Sequence, residues 1–287
     1  MERDFLKQSI RRELDYYRDG LFNEDGDEEW VRAWSAPDDD GSMAENGFLN
    51  VAMAHLTGDE CDEIVLLDCA CGKSYLSFVM NYYIHEVLHR RCRVIGVDIK
   101  EHVIDESRAM AKRLGYHNMT FICADLRTYQ PPKNVTAVIS LHACDIATDL
   151  ALGTAIRAKA KYIACVPCCH KELLDQYTMP GLEPLTKFGV FKARFNDVLT
   201  DSMRALKLEA EGYKVSVVEY ISPLDTPKNL LIRATRTGKV NHRAKAEYDA
   251  VRRTLGIILP FVLIPATVAA GALLVDAKYH AAVSLAV

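Results

Sequence analysis

Apolar residues recur at steps of three and four in Leu6, Ile10, Leu14, Tyr17 and Leu21, which predicts an amphipathic helix ending near Gly20. The stretch from Asn23 to Ser42 is acidic and turn-rich and predicts a loop anchored by Trp30 and Trp34; a second helix is expected from about Met43 to Leu56. A regular alternation follows. The apolar run Ile64–Leu67 predicts a strand, Ser74 to about His89 a helix and Arg93–Val97 a strand, while Val103, Ile104, Ser107, Ala111 and Leu114 line one helix face. Met119–Cys123, Val135–Leu141 and Tyr162–Val166 predict further strands, with a helix over Ile146–Ala158 between the last two. A helix near Phe195–Glu211 precedes two final strands, Tyr213–Ile221 and Asn229–Thr235. Strands alternating with helices imply an α/β fold, a parallel sheet with helices on both faces. Only "SPLDTPK" joins the last two strands, so a hairpin places one antiparallel strand in that sheet. Residues 1–58 are thus expected to form a helical extension, 59–237 the α/β domain, and 238–287 a basic helix with an apolar tail.

The chain has 287 residues, 49% hydrophobic and 26% charged, which suits one α/β domain with additions. A net charge of −4 gives no global nucleic-acid footprint, so any such surface must be local. The N-terminus "MERDFLKQSIRRELDYY" is charged from its second residue and is not expected to be a secretory leader. Nine cysteines, an odd number lying mostly in or beside apolar runs, fit reduced thiols and a cytoplasmic location.

The stretch "VLLDCACGKSYLSF", Val65 to Phe78, carries the first chemical signal. A phosphate loop G-x-x-x-x-G-K-[ST] would need glycine where Leu67 stands, so ATP and GTP are disfavoured. Cys69 and Cys71 are spaced too tightly for a zinc pair. The richer segment is "ACVPCCHKEL", with Cys165, Cys168, Cys169 and His170, but packing explains it as well, and the expectation is a site without metal. Position is more telling than composition. Asp68 ends the first strand of the alternating unit, small residues and Gly72 turn the chain, and a helix follows; open α/β sheets bind nucleotides at such strand ends. Asp98 ends the second strand in "VIGVDIK", placed to accept ribose hydroxyls, and Asp125 follows the third in "FICADL", placed to meet an adenine amino group.

With these residues, "LLDCACGKSYLSF…VIGVDIK…FICADL" resembles the S-adenosylmethionine loops of class I methyltransferases over about Glu45 to Arg236. The segments "SLHACDIATDLAL", "CVPCCHKEL" and "DTPKNLLIRA" resemble a subgroup of largely uncharacterised methyltransferase-domain proteins. "LHACDIATDLAL" and "PCCH" are also similar to segments of eukaryotic tRNA acceptor-stem 2′-O-methyltransferases, although their N-terminal zinc-finger residues are missing here. The resemblance implies a Rossmann-like seven-stranded sheet with a reversed final strand. It implies S-adenosyl-L-methionine as cofactor, held by Asp68, Ala70, Gly72, Tyr75, Asp98, Asp125, Leu126 and Leu141. NAD is the rival ligand, but a dinucleotide site wants three glycines, and an acid at Asp68 would repel a pyrophosphate while suiting the cationic methionine end of the donor.

Methyl transfer from a sulfonium is an in-line displacement, for which the protein aligns donor and nucleophile and excludes water. The acceptor is expected against the end of the fourth strand. An Asn/Asp-Pro-Pro-aromatic turn is absent there, which argues against adenine-N6 or glutamine chemistry. The turn instead offers His142, Cys144 and Asp145, and the end of the fifth strand offers Cys168, Cys169 and His170. His142, Asp145, Cys168 and His170 are the expected catalytic residues. Cysteines at neighbouring strand ends also admit C5-pyrimidine methylation through a thiolate. Asp145 with Lys171 and Glu219 resembles the Lys/Asp/Lys/Glu set of some 2′-O-methyltransferases, without a first lysine. The expected substrate is RNA, with tRNA ribose 2′-OH foremost; the alternatives are a non-catalytic binding module and a methyltransferase of a protein or small molecule. Lys228 and Asn229 start the last strand near the expected mouth of the site.

Basic residues dominate from Lys228 to Arg253, a surface suited to RNA or to solvent. Leu255 to Val275 then runs without a charge, long enough to span a membrane, with the basic stretch on its cytoplasmic side. Pro260 and Pro265 interrupt it, so an anchor and a buried or self-associating tail are equally expected. With an anchor, the basic stretch touches anionic lipid.

Overall fold

The computed structural model describes residues 61–141, 143–219 and 229–257. The expected helices near 6–21 and 43–56, His142, the hairpin turn and the tail from residue 258 lie outside the described residues.

The sheet is built from β1 (Ile64–Cys69), β2 (Cys92–Asp98), β3 (Met119–Cys123), β4 (Ala137–Leu141), β5 (Tyr162–Val166), β6 (Tyr213–Glu219) and β7 (Leu230–Arg236). Their order across it is β3-β2-β1-β4-β5-β7-β6. All pairs from β3 to β5 are parallel. β7 runs antiparallel to both β5 and β6, so it alone is reversed, as the short final connection predicts. The sheet changes direction beside β1, where the chain winds to β2 on one side and β4 on the other. That crevice is where such folds receive nucleotides.

Both faces are covered. Ile64 and Leu66 of β1 point into a cluster with Met80, Val94, Ile104 and Phe121, while Val65 and Leu67 point into one with Val97, Val138, Leu152 and Ile163. This two-sided burial is why β1 reads as an unbroken apolar run rather than an alternation. The helices are α1 (Tyr75–Tyr82), continued by a π turn over Tyr83–Val87, α2 (Glu101–Leu114), α3 (Ile146–Ala158), the short α4 (Glu183–Thr186), α5 (Gly189–Ala210) and α6 (His242–Thr254). The predicted α2 face, Val103, Ile104, Ser107, Ala111 and Leu114, is the buried one. Left-handed Gly115 (φ 72°) ends that helix at no steric cost.

Two boundaries differ from expectation. β4 begins at Ala137 rather than Val135, although the Thr136 amide donates to the Val65 carbonyl and the Thr136 carbonyl accepts the Tyr162 amide just before it. α5 begins at Gly189, well before Phe195, because its first turns expose apolar residues that show no inward-facing periodicity. α6 packs along α5 through a third cluster, Leu173, Tyr177, Met203, Tyr248 and Ile257. The amide of Thr178 donates to the Leu255 carbonyl (3.0 Å), so the end of α6 lies against the loop that follows β5. Among the described residues no helix is long and apolar enough to cross a membrane.

Candidate functional site

The turn after β1 alternates in hand, with Ala70 (φ 58°), Gly72 (φ 52°) and Ser74 (φ 60°) all left-handed. A Cβ at Gly72 would meet nothing within 4 Å, so glycine is needed there for its backbone angle, and the space in front of the turn is open. The turn is tied to β2: the Cys71 amide donates to the Val97 carbonyl (3.1 Å) and the Gly72 amide to Asp98 Oδ2 (2.9 Å). Asp98 Oδ1 accepts the Lys100 amide (2.9 Å). Each carboxylate oxygen keeps a lone pair for a ribose hydroxyl. Asp98 therefore shapes the loop.

Asp68 is buried at the end of β1 and accepts a hydrogen bond from Ser77 Oγ (2.6 Å). Burial raises its carboxyl from 3.8 to about 7, partly offset by Ser77 and reinforced by Asp98. Among the described residues no cationic side chain offsets that burial. A buried acid with one hydroxyl for company fits the α-ammonium of S-adenosylmethionine, and the donor's cation would supply the missing charge.

Asp125 is clasped by Arg127, whose Nε and Nη2 lie 2.9 and 2.5 Å from Oδ2, and this pairing holds its carboxyl below the ordinary value. Leu126 beside it is buried, Leu141 is half-buried at the end of β4, and Tyr75 stands exposed at the start of α1. Sequence reasoning passed over Ile99, an apolar side chain left exposed directly after Asp98; the signal was the apolar residue inside "VDIK". It also passed over Ser77, one helical turn past the loop.

On the other side of the crevice, β4 and β5 are paired Leu141 to Val166, so the residues beyond their ends emerge side by side. Asp145, with φ 52° and ψ −116°, turns the chain into α3, and its Oδ1 accepts the Glu172 amide (3.1 Å) from the β5 loop. The thiols of Cys144, Cys168 and Cys169 meet here. Burial raises the Cys144 thiol, and burial with the neighbouring thiols pushes Cys168 up to about 12. Protonated thiols disfavour the thiolate route to C5 methylation. Of the four residues grouped by sequence, Cys165 is fully buried in β5, and His170 is turned into the protein. His170 Nε2 lies 2.9 and 3.0 Å from the Asp201 carboxylate oxygens, and Nδ1 lies 3.3 Å from Asp197. Asp201 also binds the fully buried Arg204 (3.0 Å), which forks onto Asp149 (2.8 and 3.0 Å) and donates to the Asp145 carbonyl (3.1 Å). This network braces the loop that carries Asp145. It was invisible in sequence because its members lie on α3, α5 and the loop after β5. Asn229 is buried at the start of β7.

Residues 46–176 match the family model described as a methyltransferase domain. Among curated proteins, the human "Glutathione S-transferase C-terminal domain-containing protein" is 24% identical over 192 residues, covering 58% of this chain and 29% of that one. The homolog in Drosophila melanogaster is 32% identical over 196 residues, covering 58% and 32% respectively. The chain thus spans about a third or less of the length of these relatives. Solved structures that resemble it include an rRNA methylase from Streptococcus thermophilus (TM-score 0.44, 11% identity, 66% of this chain and 95% of that one). Another is magnesium protoporphyrin IX methyltransferase from Synechocystis with bound S-adenosylhomocysteine (TM-score 0.38, 14% identity, 83% and 100%).

Proposed function

We propose that this S-adenosylmethionine-dependent methyltransferase acts on RNA, with a tRNA ribose 2′-hydroxyl as the foremost acceptor. The observation that carries the reading is the margin beside the β5 loop. There α5 begins with Phe188, Phe191 and Phe195 exposed, and the Phe188 and Phe191 rings sit edge to face, 5.8 Å apart. Lys187 lies over the Phe188 ring and Lys192 over that of Tyr177. Aromatic faces interleaved with cations are how proteins hold single-stranded nucleic acid, since every base has a π-face and every linkage a charge. The end of α6 adds an exposed Arg253, two residues before Leu255, whose carbonyl accepts the Thr178 amide of the β5 loop. A local patch of this kind is compatible with the acidic balance of the whole chain.

In this reading Asp68, Ala70, Gly72, Tyr75, Asp98, Asp125, Leu126 and Leu141 hold the donor, which supplies an electrophilic methyl group. Asp68 pairs the ammonium end and Asp98 the ribose. Asp145 and Cys168 border the acceptor. Asp145, fixed by the Glu172 amide and by Arg204 on its carbonyl, is the group placed to take a hydroxyl proton, whereas His170 acts through Asp201 by holding the loop. The test is transfer of tritiated methyl from S-adenosylmethionine to total RNA from cells lacking the protein, followed by nucleoside analysis. A labelled 2′-O-methyl nucleoside is expected. Label in protein or metabolite fractions alone, or none at all, overturns the RNA assignment.

A further inference from the structure

We propose that Cys144, Cys168 and Cys169 form a three-thiolate site for a Zn2+ ion, with one coordination position left open. The three sulfurs lie 3.4 Å (Cys144 to Cys169), 3.6 Å (Cys144 to Cys168) and 3.7 Å (Cys168 to Cys169) apart. Zn–S bonds of about 2.3 Å in a tetrahedron place neighbouring sulfurs about 3.8 Å apart, so the triangle opens by only a few tenths of an ångström to take the ion. Packing does not explain the convergence. Cysteines used as small apolar residues, such as Cys69, Cys92 and Cys165, are buried, whereas Cys144 is exposed and Cys168 and Cys169 are half-buried. All nine cysteines are present as thiols.

The site is held from outside by bonds that the sulfurs do not take part in. Asp145 joins the two loops through the Glu172 amide, and Arg204 holds the Asp145 carbonyl. Asn196 Nδ2 donates to the His170 carbonyl, directly after the cysteine pair, and Asp201 and Asp197 hold the His170 ring. Three ligands fixed in advance lower the ordering cost of binding. An all-sulfur donor set selects a soft or borderline cation over Mg2+ or Ca2+. Three protein ligands with a fourth position open is the pattern of zinc sites that engage a substrate or water rather than a closed structural site. On binding, three S–H bonds give up their protons to solvent and three Zn–S bonds form, leaving the site with one net negative charge. Nothing in this inference depends on methyl transfer.

The experiment uses the full-length protein, reduced and freed of metal by a chelator, and titrates it with Cd2+ while following the ultraviolet thiolate-to-metal band. The expected result is saturation at one Cd2+ per chain, with an intensity corresponding to three thiolates, and displacement by Zn2+. Cys144→Ser and Cys169→Ser should each weaken binding at least tenfold, while Cys123→Ser, at an exposed thiol on β3, should leave it unchanged. Thermal unfolding of each variant reports whether the fold persists, and calorimetry with S-adenosylhomocysteine reports separately on the cofactor site. A wild-type band worth fewer than three thiolates overturns the site, as does a band undiminished in a folded Cys144→Ser protein.

Discussion

With Asp68 as the proposed partner of the donor's ammonium, cofactor binding should depend on pH. Its carboxyl is raised to about 7 because it is buried without a cation, so near neutrality the empty site is divided between the acid and the carboxylate. Only the carboxylate attracts the donor's ammonium. For a group of pKa about 7, the ionised fraction falls about tenfold from pH 8 to pH 6, and affinity for S-adenosylhomocysteine should fall with it, about 1.4 kcal/mol. Asp68→Asn removes both the charge and the proton, so its affinity should be lower and flat over the same range. The stability of the cofactor-free protein should run the other way. Between the ordinary carboxyl value of 3.8 and about 7 the folded state binds more protons at Asp68 than the unfolded chain does. This residue's contribution is therefore greatest below about 4 and is lost as pH rises toward 7. Calorimetric titrations of wild type and Asp68→Asn at pH 6, 7 and 8, in buffers differing in ionisation enthalpy, measure affinity and proton release together. A wild-type profile flat from pH 6 to 8, or an equal slope in Asp68→Asn, refutes the reasoning.

Arg204→Met removes the cation that bridges Asp149 and Asp201 and leaves the buried Asp149 carboxylate uncompensated among the described residues, a loss of about 3–5 kcal/mol by urea unfolding at pH 7. That loss should shrink at pH 5 as Asp149, whose carboxyl burial raises, takes up a proton. Gly96→Ala places a methyl 2.6 Å from the Phe121 ring and 3.0 Å from Cys71 Sγ, so it should cost about 1–3 kcal/mol and weaken cofactor binding by displacing the turn. Asp98→Ala should abolish S-adenosylmethionine binding by calorimetry, and unchanged affinity would remove Asp98 from the site. Phe191→Ala should weaken binding of a single-stranded RNA by about 1–3 kcal/mol with little salt dependence, whereas Arg253→Glu should lower the salt slope in the same filter-binding assay.

The strand and helix alternation, the reversed β7 and the acids at the ends of β1 and β2 and after β3 could be read from the chain because their determinants are local. A run of apolar residues, a turn of small residues and an acid at a strand end each lie within a few positions of one another. The length of α5 was harder to read, because the exposed Phe188, Val190 and Phe191 break the helical period that marks a buried face.

The cysteine-rich segment after β5 is divided by the fold. Cys165, Cys168, Cys169 and His170 are neighbours in sequence, yet strand pleating buries Cys165 and the acids of α5 draw His170 inward. The parallel register of β4 on β5, Leu141 opposite Val166, carries Cys144 to the same level as Cys169 three residues further on. The sequence alone thus determined the class of fold and pointed to the cofactor, since those follow from short-range pattern. Which thiols meet, and which acids stand behind them, depended on strand register and helix packing. Those arise from contacts between residues far apart in the chain, and only the tertiary structure decides them.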